Sequence, residues 1–218
     1  QGDDALVLNG KGDEFICEVE NVARDRLSLR IKKKNFLPPP PCSLALFVGI
    51  PKGKIIESII QKSVELGART IAPLLTERVV TRLDANDAER KREQWQQVAI
   101  EAMKQSGAAY LPEVATPGTI RDFVAKKGKP DLQLVGSLQP ERRHPRDLFR
   151  EYEKANGRLP QSAAVWIGPE GDFAPDELAA IQNSGAQPVS LGSLVLRVET
   201  AAIYCLSILN YEFNSIGK

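Results

Sequence analysis

Three short segments hold the residues best placed to do chemistry, and each opens with a glycine directly after an apolar run. They are Gly136-Ser137-Leu138-Gln139-Pro140, Gly168-Pro169-Glu170-Gly171-Asp172-Phe173, and Gly192-Ser193-Leu194-Val195-Leu196-Arg197 leading into Val198-Glu199-Thr200-Ala201-Ala202. Glycine at such a junction lets the backbone approach a ligand closely and adopt positive φ. Three such loops at one sheet edge would make a cup lined with free backbone N–H and C=O groups. Taken singly, each loop also reads as an ordinary strand-to-helix turn, because Pro175 and Thr200 are normal helix-entry residues.

Other chemistries lack their marks. No Lys-Ser/Thr follows the second loop, so it is not a phosphate-binding P-loop. No G-x-G-x-x-G opens a helix after a first strand, and no G-x-S-x-G elbow occurs. The single histidine, His144, sits among Arg142, Arg143 and Pro145 and reads as a solvated loop residue. Multi-histidine metal sites are thereby removed, and a Ser–His–Asp arrangement would have to rest on that one side chain. Cys17, Cys42 and Cys205 are odd in number and far apart, without C-x-x-C, so neither a zinc site nor a disulfide framework is expected. An intracellular, cytoplasmic protein with no metal is the default.

The elements around these loops fall into two regimes. Residues 5–8, 14–19 and 28–31 read as short strands separated by turn chemistry, a small β module of too few residues to bury a core of its own. The chain begins at Gln1 inside this β-rich stretch, so the module is read as incomplete, with residues expected upstream. Pro38-Pro39-Pro40-Pro41 then favours a stiff spacer and marks a boundary, dividing the chain into 1–37, a linker at 38–41, and 42–218. Beyond it strands (44–48, 71–75, 132–135, 163–167, 188–191) alternate with helices (54–66, 87–106, 119–127, 175–184, 198–211). Such alternation implies an α/β fold with a mostly parallel sheet, whose ligands bind beyond the carboxyl ends of the strands. Trp166, inside an apolar strand, reads as core, and Trp95 as core or interface. The 218 residues are 42% hydrophobic and 26% charged, ordinary for a globular protein. No apolar run reaches membrane-spanning length. The net charge of +1 argues against binding nucleic acid by bulk charge, but not against a local basic patch.

The strings "IGPEGDF" (167–173) and "LGSLVLRVETAA" (191–202) closely resemble the two C-terminal signature motifs of the bacterial 16S rRNA (uracil-N3) methyltransferases, members of the SPOUT superfamily. The similarity extends to "GIPKGKIIESIIQKSVELGARTIAPLLTER" (49–78) and "QWQQVAIEAMKQSGAAYLPEV" (94–114), with a weaker echo in 1–37. The resemblance implies an α/β-knot domain whose C-terminal segment forms a deep trefoil knot, an exception to the usual rule against knots. It also implies a PUA-like RNA-binding module at the N-terminus, a homodimer, and S-adenosylmethionine as methyl donor. On this chain the adenine would lie against Leu134, Leu191, Val195 and Leu196, with backbone contacts from Gly136, Gly168, Gly192 and Leu196. Glu170, Gly171, Arg197, Glu199 and Thr200 would surround the methionine part and the methyl group. The partner would be small-subunit ribosomal RNA or the assembled 30S subunit.

Methyl transfer from a sulfonium is an in-line displacement that needs no metal and depends on positioning. Uracil N3 is a poor nucleophile until it loses its proton, which Glu170 or Glu199 could accept. Arg197 could stabilise charge on the uracil oxygens; it could equally pair with Glu170 or Glu199, and Glu199 could serve the start of its helix. The target N3 lies on the Watson–Crick edge, so the base must be unpaired or flipped, with phosphate contacts supplying the energy. Candidates are Lys52, Lys54, Lys62, Arg78 and Arg82, each of which also reads as a solvated surface charge.

Three positions depart from the family pattern: Asp172 where a second glycine is common, Leu194 where an arginine is common, and Ala108 where an arginine follows Gln-Ser-Gly. They leave open a knotted methyltransferase acting on another RNA or base, and a non-catalytic RNA-binding or ribosome-assembly protein.

Overall fold

The computed structural model describes residues 2–78, 83–125 and 128–215. In chain order the elements are β1 (Asp4–Leu8), β2 (Asp13–Val22), β3 (Leu27–Phe36), β4 (Ser43–Gly49), α1 (Ile55–Glu65), β5 (Ala68–Leu74), α2 (Ala85–Ser106), β6 (Glu113–Val114), α3 (Ile120–Val124), β7 (Leu132–Gly136), α4 (Pro145–Asn156), β8 (Ser162–Ile167), α5 (Pro175–Asn183), β9 (Gln187–Val189) and α6 (Val198–Asn214). They build an antiparallel sheet β1-β2-β3 and a parallel sheet ordered β6-β5-β4-β8-β7-β9. Because every pairing in the second sheet is parallel, the loops after β4, β5, β7, β8 and β9 leave from the same edge.

The parallel sheet is covered on both faces. Leu44, Leu46 and Val48 of β4 point one way into the main core, under α1 and α6. The helix α1 forms because Ile56, Ile59, Ile60, Ser63 and Val64 recur at helical spacing and all bury; it stops at Gly67, whose φ of 78° suits glycine. The last helix buries Val198, Ala201, Ala202, Cys205, Leu206, Leu209 and Phe213 in the same manner. On the opposite face Phe47 of β4 stacks on Trp166 of β8, ring centroids 4.0 Å apart, beneath α3 and α5. Trp95 is also core. The central strand β8 is apolar almost throughout, as two-sided burial requires.

In the first sheet β3 runs to Phe36, well past the expected 28–31. Lys32 and Lys34 extend it by pairing with Asp4 and Asp13 at 2.9 Å each. Cys17 is the buried residue of this sheet, while Leu6, Leu27, Ile31 and Phe36 stay exposed. The proline run lies between β3 and β4, in neither helix nor strand. The β1–β2 turn is tied to the segment after α2 by Gly12 N–H to Ala109 C=O and Leu111 N–H to Gly10 C=O, both 3.0 Å.

Two elements were absent from the sequence reading, the two-residue β6 and a helix over 145–156. His144 is exposed and outside that helix, as expected, and serves as its N-cap, with Nδ1 accepting from the Arg146 N–H at 3.2 Å. Pro145 at the first helical position completes the start.

Candidate active site

The loops after β7, β8 and β9 meet the start of α6 around a cleft of about 420 Å³. Each wall is held by its own fixings. The loop after β7 is anchored by Ser137 N–H to Val189 C=O at 3.1 Å, and turned by Ser137 Oγ accepting from the Gln139 N–H at 3.1 Å. The loop after β8 packs on the end of β4 so closely that a Cβ on Gly49 would stand 2.6 Å from the Pro169 nitrogen. The Lys52 N–H donates to Glu170 Oε1 at 3.0 Å, fixing that carboxylate at the cleft wall. Arg78 reaches the same loop, donating to the Gly171 carbonyl and packing its stem on Gly171.

The glycines serve different ends. Gly192 has φ of 114° and needs its freedom for the turn after β9. Gly136 and Gly168 have ordinary φ and are needed for space instead: a Cβ at Gly136 would meet Ile167 Cδ1 at 3.1 Å, and one at Gly168 would meet Asp172 Oδ1 at 3.0 Å. Asp172 adopts φ of 60°, the left-handed region glycine favours, and its own Oδ1 accepts from the Phe173 N–H at 2.8 Å.

The start of α6 sets the chemical groups. Arg197, the buried Val198 and Glu199 all line the cleft. Arg197 is the N-cap, its carbonyl accepting from Ala201 at 2.8 Å. Among the described residues the Arg197 guanidinium forms no ion pair, and the Glu199 carboxylate accepts no hydrogen bond. The pairing of Arg197 with Glu170 or Glu199 that the sequence allowed is therefore not made. Arginine, both glutamates and Asp172 line one cavity without neutralising one another.

Of the residues singled out from the sequence, Gly136, Gly168, Glu170, Leu191, Gly192, Val195, Leu196, Arg197 and Glu199 line the cleft. Leu134 lies in the core at 2% exposure, and Gly171 and Thr200 stand beside the cleft without lining it. Lys52 and Lys54 are exposed on the β4–α1 connection. Lys62 is occupied with Glu65 at 3.0 Å, and Arg82 lies outside the described residues. The sequence reading did not assign Ile55, Ile167, Val198 or Arg142, which also line the cleft. Arg142 carries no periodic signal, since its place follows from the turn that brings its guanidinium onto the carbonyls of Leu138 and Gln139. Leu194 and Val195 cover the mouth and are 76% and 77% exposed. Among the described residues no group of three His, Cys, Asp or Glu could hold a metal ion, and no helix is long and apolar enough to cross a membrane.

Residues 38–210 match the family described as RNA methyltransferase domain. The chain belongs to this family. It is 34% identical over 215 residues to a ribosomal RNA small subunit methyltransferase E of Synechocystis, covering 96% of this chain and 66% of that protein. It is 30% identical to the protein of the same name in Bacillus subtilis, covering 97% and 83%. A methyltransferase of Legionella pneumophila, solved with bound S-adenosylmethionine, superposes with a TM-score of 0.85 at 33% identity, covering 97% of this chain and 84% of that one. A ribosomal RNA small subunit methyltransferase E from Neisseria gonorrhoeae, also with S-adenosylmethionine, gives 0.83 at 26% identity with the same coverage. This likeness extends through the small antiparallel sheet as well as the parallel one.

Proposed function

We propose that the cleft binds S-adenosylmethionine and that the protein methylates N3 of a uridine in small-subunit (16S) ribosomal RNA, in the cytoplasm. The observation that carries this is one cavity holding glycine-edged backbone, an apolar wall of Leu191, Val195 and Leu196, and, at a helix start, Arg197 and Glu199 without an ion-pair partner among the described residues. Its volume falls among small-molecule sites, about 300–1,000 Å³. The apolar wall suits an adenine, backbone groups of the loops would meet its ring edge, and the carboxylates suit a cation. Leu134 would support the wall from the core, with Gly171 and Thr200 at the methionine end.

The bound donor would supply an electrophilic methyl group on a cationic sulfur. This chain's residues would do the rest. Glu199, whose oxygens accept no hydrogen bond among the described residues, is better placed than Glu170 to accept the N3 proton, since Glu170 already receives the Lys52 N–H. Arg197 would hold negative charge developing on the uracil oxygens, and positioning would supply most of the acceleration. Lys52, Lys54 and Arg78 would meet phosphates near the mouth, and the β1–β3 sheet would act as a PUA-like RNA-binding module. The segment from β9 through α6 would be the threaded part of a trefoil knot, and the working form a homodimer.

The test is methyl transfer from labelled S-adenosylmethionine to small ribosomal subunits lacking the modification, read by nucleoside mass spectrometry. N3-methyluridine is expected, with Arg197→Ala lowering kcat by about 100-fold. A methylated base other than uracil, or the same nucleoside from transfer RNA alone, would overturn the substrate assignment.

A further inference from the structure

The outer face of α4 carries charges that neither the fold nor the cleft uses. Arg146, Arg150 and Lys154 recur every four residues, so they stack on one face over about 12 Å. That face lies opposite the buried Pro145, Leu148 and Phe149. All three cations are exposed, and none has an ion-pair partner among the described residues. Nearby acids form no ion pair with them among the described residues: both oxygens of Glu151 are taken by the Arg143 guanidinium, and Asp147 and Glu153, each three residues from Arg150, flank the stripe. Lys154 in the last turn favours the helix dipole, but like charges at i,i+4 weaken a helix, so helix stability alone does not account for Arg146 and Arg150 together with it. It also begins at the cleft, because Arg142 lines the cavity and stands just ahead of the first helical residue, Pro145.

We infer that this stripe is a phosphate-binding track, along which the RNA strand flanking the target base leaves the cleft. The inference rests on the RNA-directed reading above and adds a surface on α4, away from the β4–α1 connection. Cations at this interval on a rigid helix match a polyanion, and each phosphate neutralised releases counterions, which makes the interaction measurable by its salt dependence.

The experiment compares the full chain with Arg146→Glu/Arg150→Glu/Lys154→Glu and, as control, Lys104→Glu on α2. Binding of a mixed-sequence single-stranded RNA oligonucleotide is followed by fluorescence anisotropy at several salt concentrations, and S-adenosylmethionine binding by calorimetry. The triple variant should bind RNA at least tenfold more weakly at low salt. Its slope of log affinity against log salt should fall by about two, at ~0.7 for each phosphate that is no longer neutralised. Donor binding should be unchanged and the control should match the parent. Equal RNA affinity and slope in the triple variant and the parent would overturn the track. A parent that binds the donor and RNA yet transfers no methyl to ribosomal RNA would instead overturn the functional reading, whatever the variant does.

Discussion

Asp172 shows how a single departure from a family pattern becomes intelligible in three dimensions. Its φ of 60° explains why glycine is common there, and its bond to the Phe173 N–H shows how an aspartate is tolerated. Asp172→Asn keeps both the conformation and the acceptor while removing the charge. It should melt close to the parent but bind S-adenosylmethionine several-fold more weakly, because a carboxylate at the cleft wall is lost. Asp172→Val should lower stability by roughly 1–3 kcal/mol, since a β-branched residue resists this region. Calorimetric titration and thermal melts separate the two effects, and unaltered donor affinity in the asparagine variant would show that the charge is idle. The buried thiols make a separate prediction. Burial pushes both Cys42 and Cys205 from 9.0 up to about 12. The folded state holds them as thiols while the unfolded chain ionises them, so stability falls as pH rises from about 9 toward 12. Melting temperature should drop across that window, less steeply in Cys205→Ala, and native protein should resist thiol alkylation at pH 8.

At the scale of elements, the cleft depends on loops tied to each other rather than on any one strand. Glu177 of α5 is the clearest tie: Oε1 accepts the Glu77 N–H and Oε2 the Ala174 N–H, both at 2.9 Å, joining the loop after β5 to the loop after β8. Glu177→Ala leaves two donors without their partner and should cost about 1–3 kcal/mol. Amide exchange should rise at Glu77 and Ala174 while β4 stays protected; unchanged exchange there would mean that Arg78 and Gly171 suffice to hold the loops. The Glu77–Glu177 bond is not legible in the sequence, because it joins residues 100 apart in the chain, whereas the Ala174–Glu177 bond is local to the start of α5. Apart from the two-residue β6, the strands of the parallel sheet were legible, since runs such as that in β8 are apolar enough to demand two-sided burial. The helix α4 was not, because Leu148 and Phe149 are its only buried non-proline residues and the Arg-Arg-His-Pro approach resembles a loop. Arg142 went unassigned for the same reason: its position at the cleft is set by the connection into α4. The candidate glycines were legible as a set, although space at Gly136 and Gly168, and backbone freedom at Gly192, are separate requirements that the letters alone do not distinguish.

For the whole molecule, the homodimer proposed above would have candidate surface in the exposed apolar groups. The buried stripe of α6 faces the core, yet Tyr204, Ile208 and Tyr211 form another stripe at helical spacing, with the tyrosines 46% and 75% exposed. At the same end of the chain Leu194 and Val195 stand almost fully open beside the cleft. A large exposed apolar patch marks an interaction site, and in the proposed dimer a two-fold axis beside α6 would pair these residues with their copies. Because α6 starts at Val198, directly after Arg197, the same interface would close over Leu194 and Val195 and stiffen the mouth of the cleft. Sedimentation of the parent should therefore give a dimer at micromolar concentration, and Tyr204→Asp/Tyr211→Asp a monomer. The monomer should retain its fold by circular dichroism, since neither tyrosine belongs to the core, but should bind S-adenosylmethionine more weakly through the uncovered loop. A parent that sediments as a monomer would sink the dimer outright. A dimer that dissociates with donor affinity intact would mean that association shapes something other than the methyl-donor cleft, such as the path of RNA across the two copies.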